Sequence, residues 1–324
     1  MNARPAQILL ITATRIGDVV LSSGLIGHMA KLHPGAQFTI AGGGLPIGLF
    51  ADTPGLAALL PMVKQPNGGH WLTLWRQTRQ TRWDHVIDLR GSLTAYGLRA
   101  RARHVLTGQG RGLHRVAAYA QVLGLKDSPP PPGFVVAPET QARADQWLGG
   151  SGEILAMAPA ANWVGKTWPA ERFAAIAAGL LGSDGPMSSA RLLLLGGKED
   201  LPAAQGVAAG LPPERVIWAM GEPDLLTTYA MLRRARLFVG NDSGMMHLAA
   251  AAQAPTLGLF GPTDDQLYAP WGDHCAVVRA EAFAAFKARD PHLNLPEPHM
   301  ASLDVATVQA AALSLLNKTQ GAFP

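Results

Sequence analysis

Two doubly wound α/β domains, each built on a parallel sheet, are what this sequence predicts. Three observations predict them. Short apolar runs alternate with helix-length segments along both halves of the chain, as in successive β-α-β units. Each half opens on a buried-strand pattern followed by a polar turn, first at residues 7–12 (QILLIT) and again at 154–158 (ILAMA). The length, 324 residues, suits two domains of ordinary size.

The first strand, 7–12, leads through a polar turn into a helix that ends near His33-Pro34, where proline cannot continue it. Residues 36–41 form a second strand closed by Gly42-Gly43-Gly44, and 85–89 and 104–106 read as further strands. The run Ser128-Pro129-Pro130-Pro131-Pro132-Gly133 is a stiff connector. A helix over 139–148 follows, and the boundary is expected near 149–152, dividing 1–150 from 151–324. After the strand 154–158, Trp168-Pro169 opens a helix through Leu181, since proline is tolerated in a first helical turn. Residues 191–195 form a strand ending at Gly196-Gly197, 201–209 a helix, and 216–218 a strand. Asp224 caps a helix through Arg236. The most informative stretch is 237–261, LFVGNDSGMMHLAAAAQAPTLGLFG, which reads as strand, tight polar turn, helix, strand. The last helix, 303–316, suits packing on either domain, including back on the first.

Hydrophobic residues make up 48% of the chain and charged residues 15%, which supports a core in each half and argues against disorder. A single cysteine, Cys275, rules out an internal disulfide and fits a reducing, cytoplasmic setting. The opening MNARPAQILLIT reads as a first strand rather than a signal peptide. No apolar run reaches the ~18 residues of a membrane-spanning helix. The net charge of +4 is unevenly spread: residues 1–150 hold 15 Lys+Arg against 7 Asp+Glu, a net +8, and 151–324 hold 12 against 16, a net −4. Much of the excess is Arg76, Arg79, Arg82, Arg90, Arg99, Arg101, Arg103, Arg111 and Arg115. Such a run is either a solvated surface or a face for an anionic partner. No nucleic-acid motif accompanies it, so a membrane surface or an acidic glycolipid is the expected class, not nucleic acid.

Four segments carry candidate chemistry. In Arg15-Ile16-Gly17-Asp18, Asp18 follows the first strand; it is either a helix N-cap or a carboxylate able to act as general base. The G-x-G-x-x-G fingerprint of a dinucleotide site is absent here, which disfavours a nicotinamide enzyme. In Asn162-Trp163-Val164-Gly165-Lys166, Lys166 stands just before a helix, as a surface lysine or a point charge for phosphate. Gly196-Gly197-Lys198-Glu199 permits close backbone approach, and Glu199 is placed to accept hydroxyl hydrogen bonds such as those of a ribose, or is simply exposed. In the turn of 237–261, Asp242 suits sugar hydroxyls, and Ser243 and Gly244 open a helix whose free amides and dipole favour an anion. His247, one turn in, is a core histidine or a phosphate contact. Metal-ligand spacing, a Walker loop and a nucleophile elbow are absent, and Asp264-Asp265 reads as a turn rather than a metal pair.

Together, ITATRIGDVVLSSGL, NWVGKTWPAERFAAIA, LLLLGGKED and VGNDSGMMHLAAAAQAPTLGLFGPTD resemble glycosyltransferase family 9, the lipopolysaccharide heptosyltransferases. The resemblance spans most of residues 7–275; within it, 45–140 match no named motif and are where acceptor specificity would lie. It implies a GT-B fold, two Rossmann-like domains facing a cleft, with acceptor bound by the first and nucleotide-sugar donor by the second. It implies an inverting, metal-independent transfer with no cofactor, the donor being ADP-heptose and the acceptor an anionic glycolipid at the inner face of the cytoplasmic membrane. By resemblance, Asp18 is the catalytic base, Lys166, Ser243, Gly244 and His247 bind donor phosphate, Asp242 binds the sugar, and Glu199 the nucleoside. Arg15, Arg99, Arg101 and Arg103 are the acceptor-binding candidates. Thr167 stands where many relatives have a basic residue. A transferase using another nucleotide sugar, or a non-catalytic binder of the same fold, would share most of these features.

Overall fold

The computed structural model describes residues 4–108, 110, 112–292 and 297–321; Arg111, one of the clustered arginines, lies outside them. The chain divides into two compact units, Met1–Ala137 and Pro138–Pro324.

In the first unit the described strands are β1 (Gln7–Ile11), β2 (Gln37–Gly42), β3 (Leu56–Pro61), β4 (Trp83–Asp88) and β5 (Ala100–Val105). They form one parallel sheet in the order β3-β2-β1-β4-β5. Ile8, Leu9, Leu10 and Ile11 of β1 have no exposed surface, as the central position of an all-parallel sheet requires. The helices are α1 (Ile16–Ser22), α2 (Gly24–Leu32), α3 (Gly69–Thr78) and α4 (Arg115–Ala120). The single helix expected before His33 is interrupted at Ser23, whose hydroxyl donates to the Val20 carbonyl and accepts from the Gly133 amide. The proline-rich connector therefore lies against the first unit. A side chain at Gly24 would meet the Pro130 carbonyl oxygen at 2.3 Å, so this close approach requires glycine.

The second unit begins with α5 (Pro138–Leu148) and the strand β6 (Ile154–Ala158). Then follow α6 (Ala170–Leu181), β7 (Arg191–Gly196), α7 (Leu201–Ala208), β8 (Val216–Met220) and α8 (Leu225–Leu232). The chain continues through β9 (Leu237–Asn241), α9 (Gly244–Ala251), β10 (Thr256–Phe260), α10 (Asp265–Tyr268), β11 (Cys275–Arg279), α11 (Phe283–Arg289) and α12 (Val305–Lys318). The described strands form a parallel sheet in the order β11-β10-β9-β6-β7-β8. Pro169 proves to be the residue before α6 rather than part of its first turn, and Asp224 caps α8, accepting from the Thr227 amide at 2.8 Å. Helix α5 lies on α8, where Arg143 approaches Asp224 (3.9 Å) and Arg234 approaches Asp145 (3.6 Å). The last helix lies on α6 and β11, with Leu315 and Leu316 in the second unit's core. Arg236 fastens its end by donating to the Leu316 carbonyl (2.8 Å) and the Thr319 hydroxyl (3.0 Å). Among the described residues no helix is long and apolar enough to cross a membrane.

Both sheets reverse their strand order once. In the first, the chain builds outward from β1 to β3 and then returns to the other side of β1 with β4. In the second, it builds from β6 to β8 and returns beside β6 with β9. At such a switch point the loops leaving the carboxyl ends of adjacent strands diverge and open a crevice for a ligand.

Candidate functional site

The switch point of the second unit lies between β6 and β9, which pair from Leu155↔Leu237 to Ala158↔Gly240. The loop after β6 carries Lys166 and the turn after β9 carries Asp242. Asn241, fully buried, ties the two together: its Oδ1 accepts from the Trp168 amide at 3.1 Å and its Nδ2 donates to the Pro159 carbonyl at 2.8 Å. Trp168 is itself fully buried, its indole N–H donating to the Leu303 carbonyl at 2.9 Å. This anchorage brings Lys166 Nζ to 2.7 Å from Asp242 Oδ2. Both groups are sheltered, with side chains 21% and 6% exposed, so the attraction is less screened than in a surface pair. The same oxygen of Asp242 accepts from the Thr263 hydroxyl at 2.7 Å, and His247 Nε2 lies 4.0 Å from Oδ1. Arg279 fixes the loop that carries Thr263, donating to the carbonyls of Gly261 and Thr263 at 2.9 Å and to Asp265 at 2.7 Å. Asp264 caps α10 and Asp265 pairs with Arg279, so these two residues serve the turn.

Ser243 stands at the N-cap position of α9 in extended conformation, yet its side chain makes no capping bond. Its hydroxyl oxygen is buried and has no hydrogen-bond partner among the described residues. Buried polar atoms are normally paired, which sets this one apart. Beside it, the first-turn amides of α9, starting at Gly244, have no intrahelical acceptor. Thr167 donates to the Trp163 carbonyl at 3.3 Å and so braces the lysine loop.

Glu199 lies one strand further along, after β7, the neighbour of β6. It is exposed and folded back over Gly197, where an added Cβ would meet its carboxylate at 2.4 Å. Asp200 accepts from the Gly197 amide at 2.8 Å and closes that turn.

In the first unit the switch point lies between β1 and β4. Arg15 occupies the N-cap position of α1 and is exposed, and Asp18 sits in the first turn without capping it. Asp18 is half-buried; its Oδ1 accepts from the Tyr119 hydroxyl at 2.9 Å. The loop after β2 backs this segment closely: Gly43 donates to the Ala13 carbonyl at 3.0 Å, and a Cβ on Gly43 would meet the Thr14 carbonyl oxygen at 2.6 Å. On the other side of β1, buried Asp88 shapes the loop after β4, accepting from the amides of Arg90 and Ser92 at 2.8 Å and from the Ser92 hydroxyl at 2.6 Å.

Arg99, Arg101 and Arg103 are exposed at the start of and along the edge strand β5. Arg99 precedes the strand's amino end, whereas Arg15 follows the carboxyl end of β1. Arg103 spends its guanidinium on the carbonyls of Ala95 (3.0 Å) and Ala100 (3.3 Å), bracing the preceding loop. His85 and His104 touch across β4 and β5, Nδ1 to Nε2 at 3.2 Å, and His33 lies against His85 with centroids 4.8 Å apart. Both His85 and His104 titrate below ordinary histidine, chiefly through burial; neighbouring His33 and His104 depress His85 further.

The sequence pointed to Lys166, Asp242, Ser243, Gly244 and His247, and the structure brings these together. Arg279 and Tyr119 carried no motif, and the parts played by Thr263 and Asn241 were not legible. Among the described residues, no group of three or more His, Cys, Asp or Glu is placed to hold a metal ion.

Comparison with known proteins matches residues 111–295, more than half of the chain, to the model of glycosyltransferase family 9 (heptosyltransferase). The lipopolysaccharide core heptosyltransferase OpsX of Haemophilus influenzae is 20% identical over 308 residues, covering 85% of this chain and 84% of that protein. A family 9 glycosyltransferase from Veillonella parvula superposes with a TM-score of 0.80 at 20% identity, covering 98% of this chain and 99% of that one. The ADP-heptose lipopolysaccharide heptosyltransferase II of Escherichia coli superposes with a TM-score of 0.75 at 21% identity, covering 97% of this chain and all of the other (100%). These likenesses show a shared GT-B fold with two parallel α/β sheets.

Proposed function

The chain belongs to glycosyltransferase family 9, the heptosyltransferases, and from that premise we propose that it moves a heptose from ADP-heptose to a lipopolysaccharide core acceptor, inverting the anomeric centre without a metal. The observation that carries the proposal is the sheltered Lys166–Asp242 pair beside the open amino end of α9. It offers one cation, one carboxylate and a set of amide donors within a single crevice, which is the chemistry of a sugar diphosphate. The similar proteins, an ADP-heptose lipopolysaccharide heptosyltransferase and a lipopolysaccharide core heptosyltransferase, support the choice of substrates.

In this reading Lys166, the Ser243 hydroxyl, the Gly244 amide and His247 hold the diphosphate, Asp242 takes hydroxyls of the sugar, and Glu199 takes the ribose. Asp18 accepts the proton of the acceptor hydroxyl. The acceptor oxygen bonds to the anomeric carbon as the carbon–oxygen bond to the diphosphate breaks, and the electron pair leaves with ADP. Negative charge therefore grows on the departing phosphate oxygen. Lys166 and the α9 amides meet it in place, and preorganised donors of this kind are each worth roughly 2.7–4 kcal/mol. Arg15 is the acceptor-binding arginine nearest Asp18 in the chain. Arg99 and Arg101 extend a basic face toward the anionic remainder of the glycolipid and the inner surface of the membrane, while the Arg103 guanidinium is committed to the backbone of residues 95–100.

A binding screen by calorimetry tests the donor assignment. ADP-heptose and ADP are expected to bind, with binding weakened in Lys166→Ala, while UDP-glucose and UDP-N-acetylglucosamine do not. Tight binding of a uridine donor would overturn it.

A further inference from the structure

Tyr119 belongs to no motif, lies 101 residues from Asp18 in the chain, and yet is its hydrogen-bond donor at 2.9 Å. The ring is buried, on a helix α4 that packs against α1. Buried tyrosine hydroxyls find a partner, and here that partner includes the one carboxylate in the first turn of α1. The bond divides the two oxygens of Asp18. Oδ1 is held by the phenol, while among the described residues Oδ2 accepts no hydrogen bond. A hydrogen bond to an ionised oxygen is short and directional, so it restrains rotation of the carboxylate as well as stabilising it.

The geometry points to Tyr119 as the positioning residue of the reaction, holding Asp18 so that its open oxygen faces the acceptor hydroxyl. This rests on the assignment of Asp18 as base. Tyr119 keeps its proton throughout; the proton that moves is the acceptor's, onto Oδ2. Proton abstraction depends on alignment, and misplacement of a reacting group on the order of 1 Å costs roughly 100-fold in rate.

Tyr119→Phe retains the ring and removes only the hydroxyl. Its kcat for heptose transfer is expected to fall about 10- to 100-fold, with KM for both substrates and the affinity for ADP nearly unchanged. A packing role would instead raise KM and lower the melting temperature together. Wild-type kcat in a folded Tyr119→Phe protein overturns the inference. If that variant does not fold, fluorinated tyrosines at position 119 preserve the ring and grade the acidity of the hydroxyl. A stepwise change in kcat at constant KM then supports the inference, and a flat response overturns it. Asp18→Asn, run in parallel, separates the two levels. Normal turnover in Asp18→Asn removes the base assignment itself, whereas an inactive Asp18→Asn beside a fully active Tyr119→Phe removes only the role of Tyr119.

Discussion

Asp18, in the first turn of the helix after β1, and Asp242, directly after β9, each follow a strand at the switch point of their own sheet, and their surroundings differ. Asp242 is 5% exposed and paired with a cation: Lys166 and Thr263 share its Oδ2, and His247 Nε2 lies 4.0 Å from Oδ1. Asp18 is half-buried, has one hydrogen bond from Tyr119, and keeps an oxygen open. A carboxylate held by a lysine and a hydroxyl is a fixed anchor for further hydroxyls. A carboxylate steadied on one side and open on the other is suited to take a proton. On the proposed function, the contrast would separate the chemistry, in the first unit, from the binding, in the second.

The largest effect that sharpens this contrast is Asp18→Asn. Loss of a general base is expected to lower kcat about 10²- to 10⁴-fold while leaving ADP affinity intact, as read by steady-state assay beside calorimetry. Lys166→Ala should lower kcat by roughly 10²–10³ and weaken ADP as well, the pattern that sets a phosphate-binding residue apart from a base. Asp242→Ala breaks the pair from the other side, leaving a sheltered lysine without its counter-ion. Chemical denaturation should show a loss of about 3 kcal/mol, the low end of the range for a broken buried pair. Asp18→Ala, which breaks no ion pair among the described residues, should cost far less, and equal losses would erase the contrast.

Smaller effects probe the first unit alone. Because His85 and His104 titrate below histidine's usual value of 6.5, the unfolded chain binds protons more readily than the fold does. Their contribution to stability is present above that value and is lost as pH falls through the lowered ones. Desolvation is the main cause. Around His85, His33, His104 and Arg101 reinforce it and Asp84 opposes it. Melting temperature should drop as the medium is acidified below neutrality, and His85→Gln should flatten that slope; an unchanged slope would place the pH response elsewhere. Smallest of all, Arg101→Glu should raise the acceptor KM only about two- to fivefold, as exposed charges do, and the difference should vanish at high salt. A deficit that persists in high salt would contradict an electrostatic role. Arg103→Ala is expected to lower stability rather than acceptor binding, since its guanidinium serves the backbone of residues 95–100.

The parallel α/β class was legible because the strands of both sheet centres are long apolar runs closed by glycine or a polar turn, as in β1, β6 and β9. Strands β3 and β11 were not legible: both lie at sheet edges and are only partly buried, and β3, though apolar throughout (LAALLP), is rich in alanine and ends in proline, which are weak strand formers. Helix α3 was not legible either, because its aromatic residues and leading glycine weaken the helical signal. The last helix was undecidable from its own sequence; its place is set by Arg236 and by packing against α6, both distant in the chain. The site divides in the same way. Lys166 and Asp242 stand in recognisable loops, but their 2.7 Å approach depends on Asn241 bonding across 73 residues to Trp168. Tyr119 could not be read at all, because only the docking of α4 on α1 brings it to Asp18.

The most direct test of the account is the transfer itself. The purified protein is incubated with ADP-heptose and a lipopolysaccharide core acceptor lacking its heptose, and the product is analysed by mass spectrometry and by nuclear magnetic resonance at the new anomeric carbon. The account predicts one heptose added per acceptor with the anomeric configuration inverted, ADP released in equal amount, and no product from Asp18→Asn. A retained configuration, donor hydrolysis without transfer, or undiminished product from Asp18→Asn would contradict it.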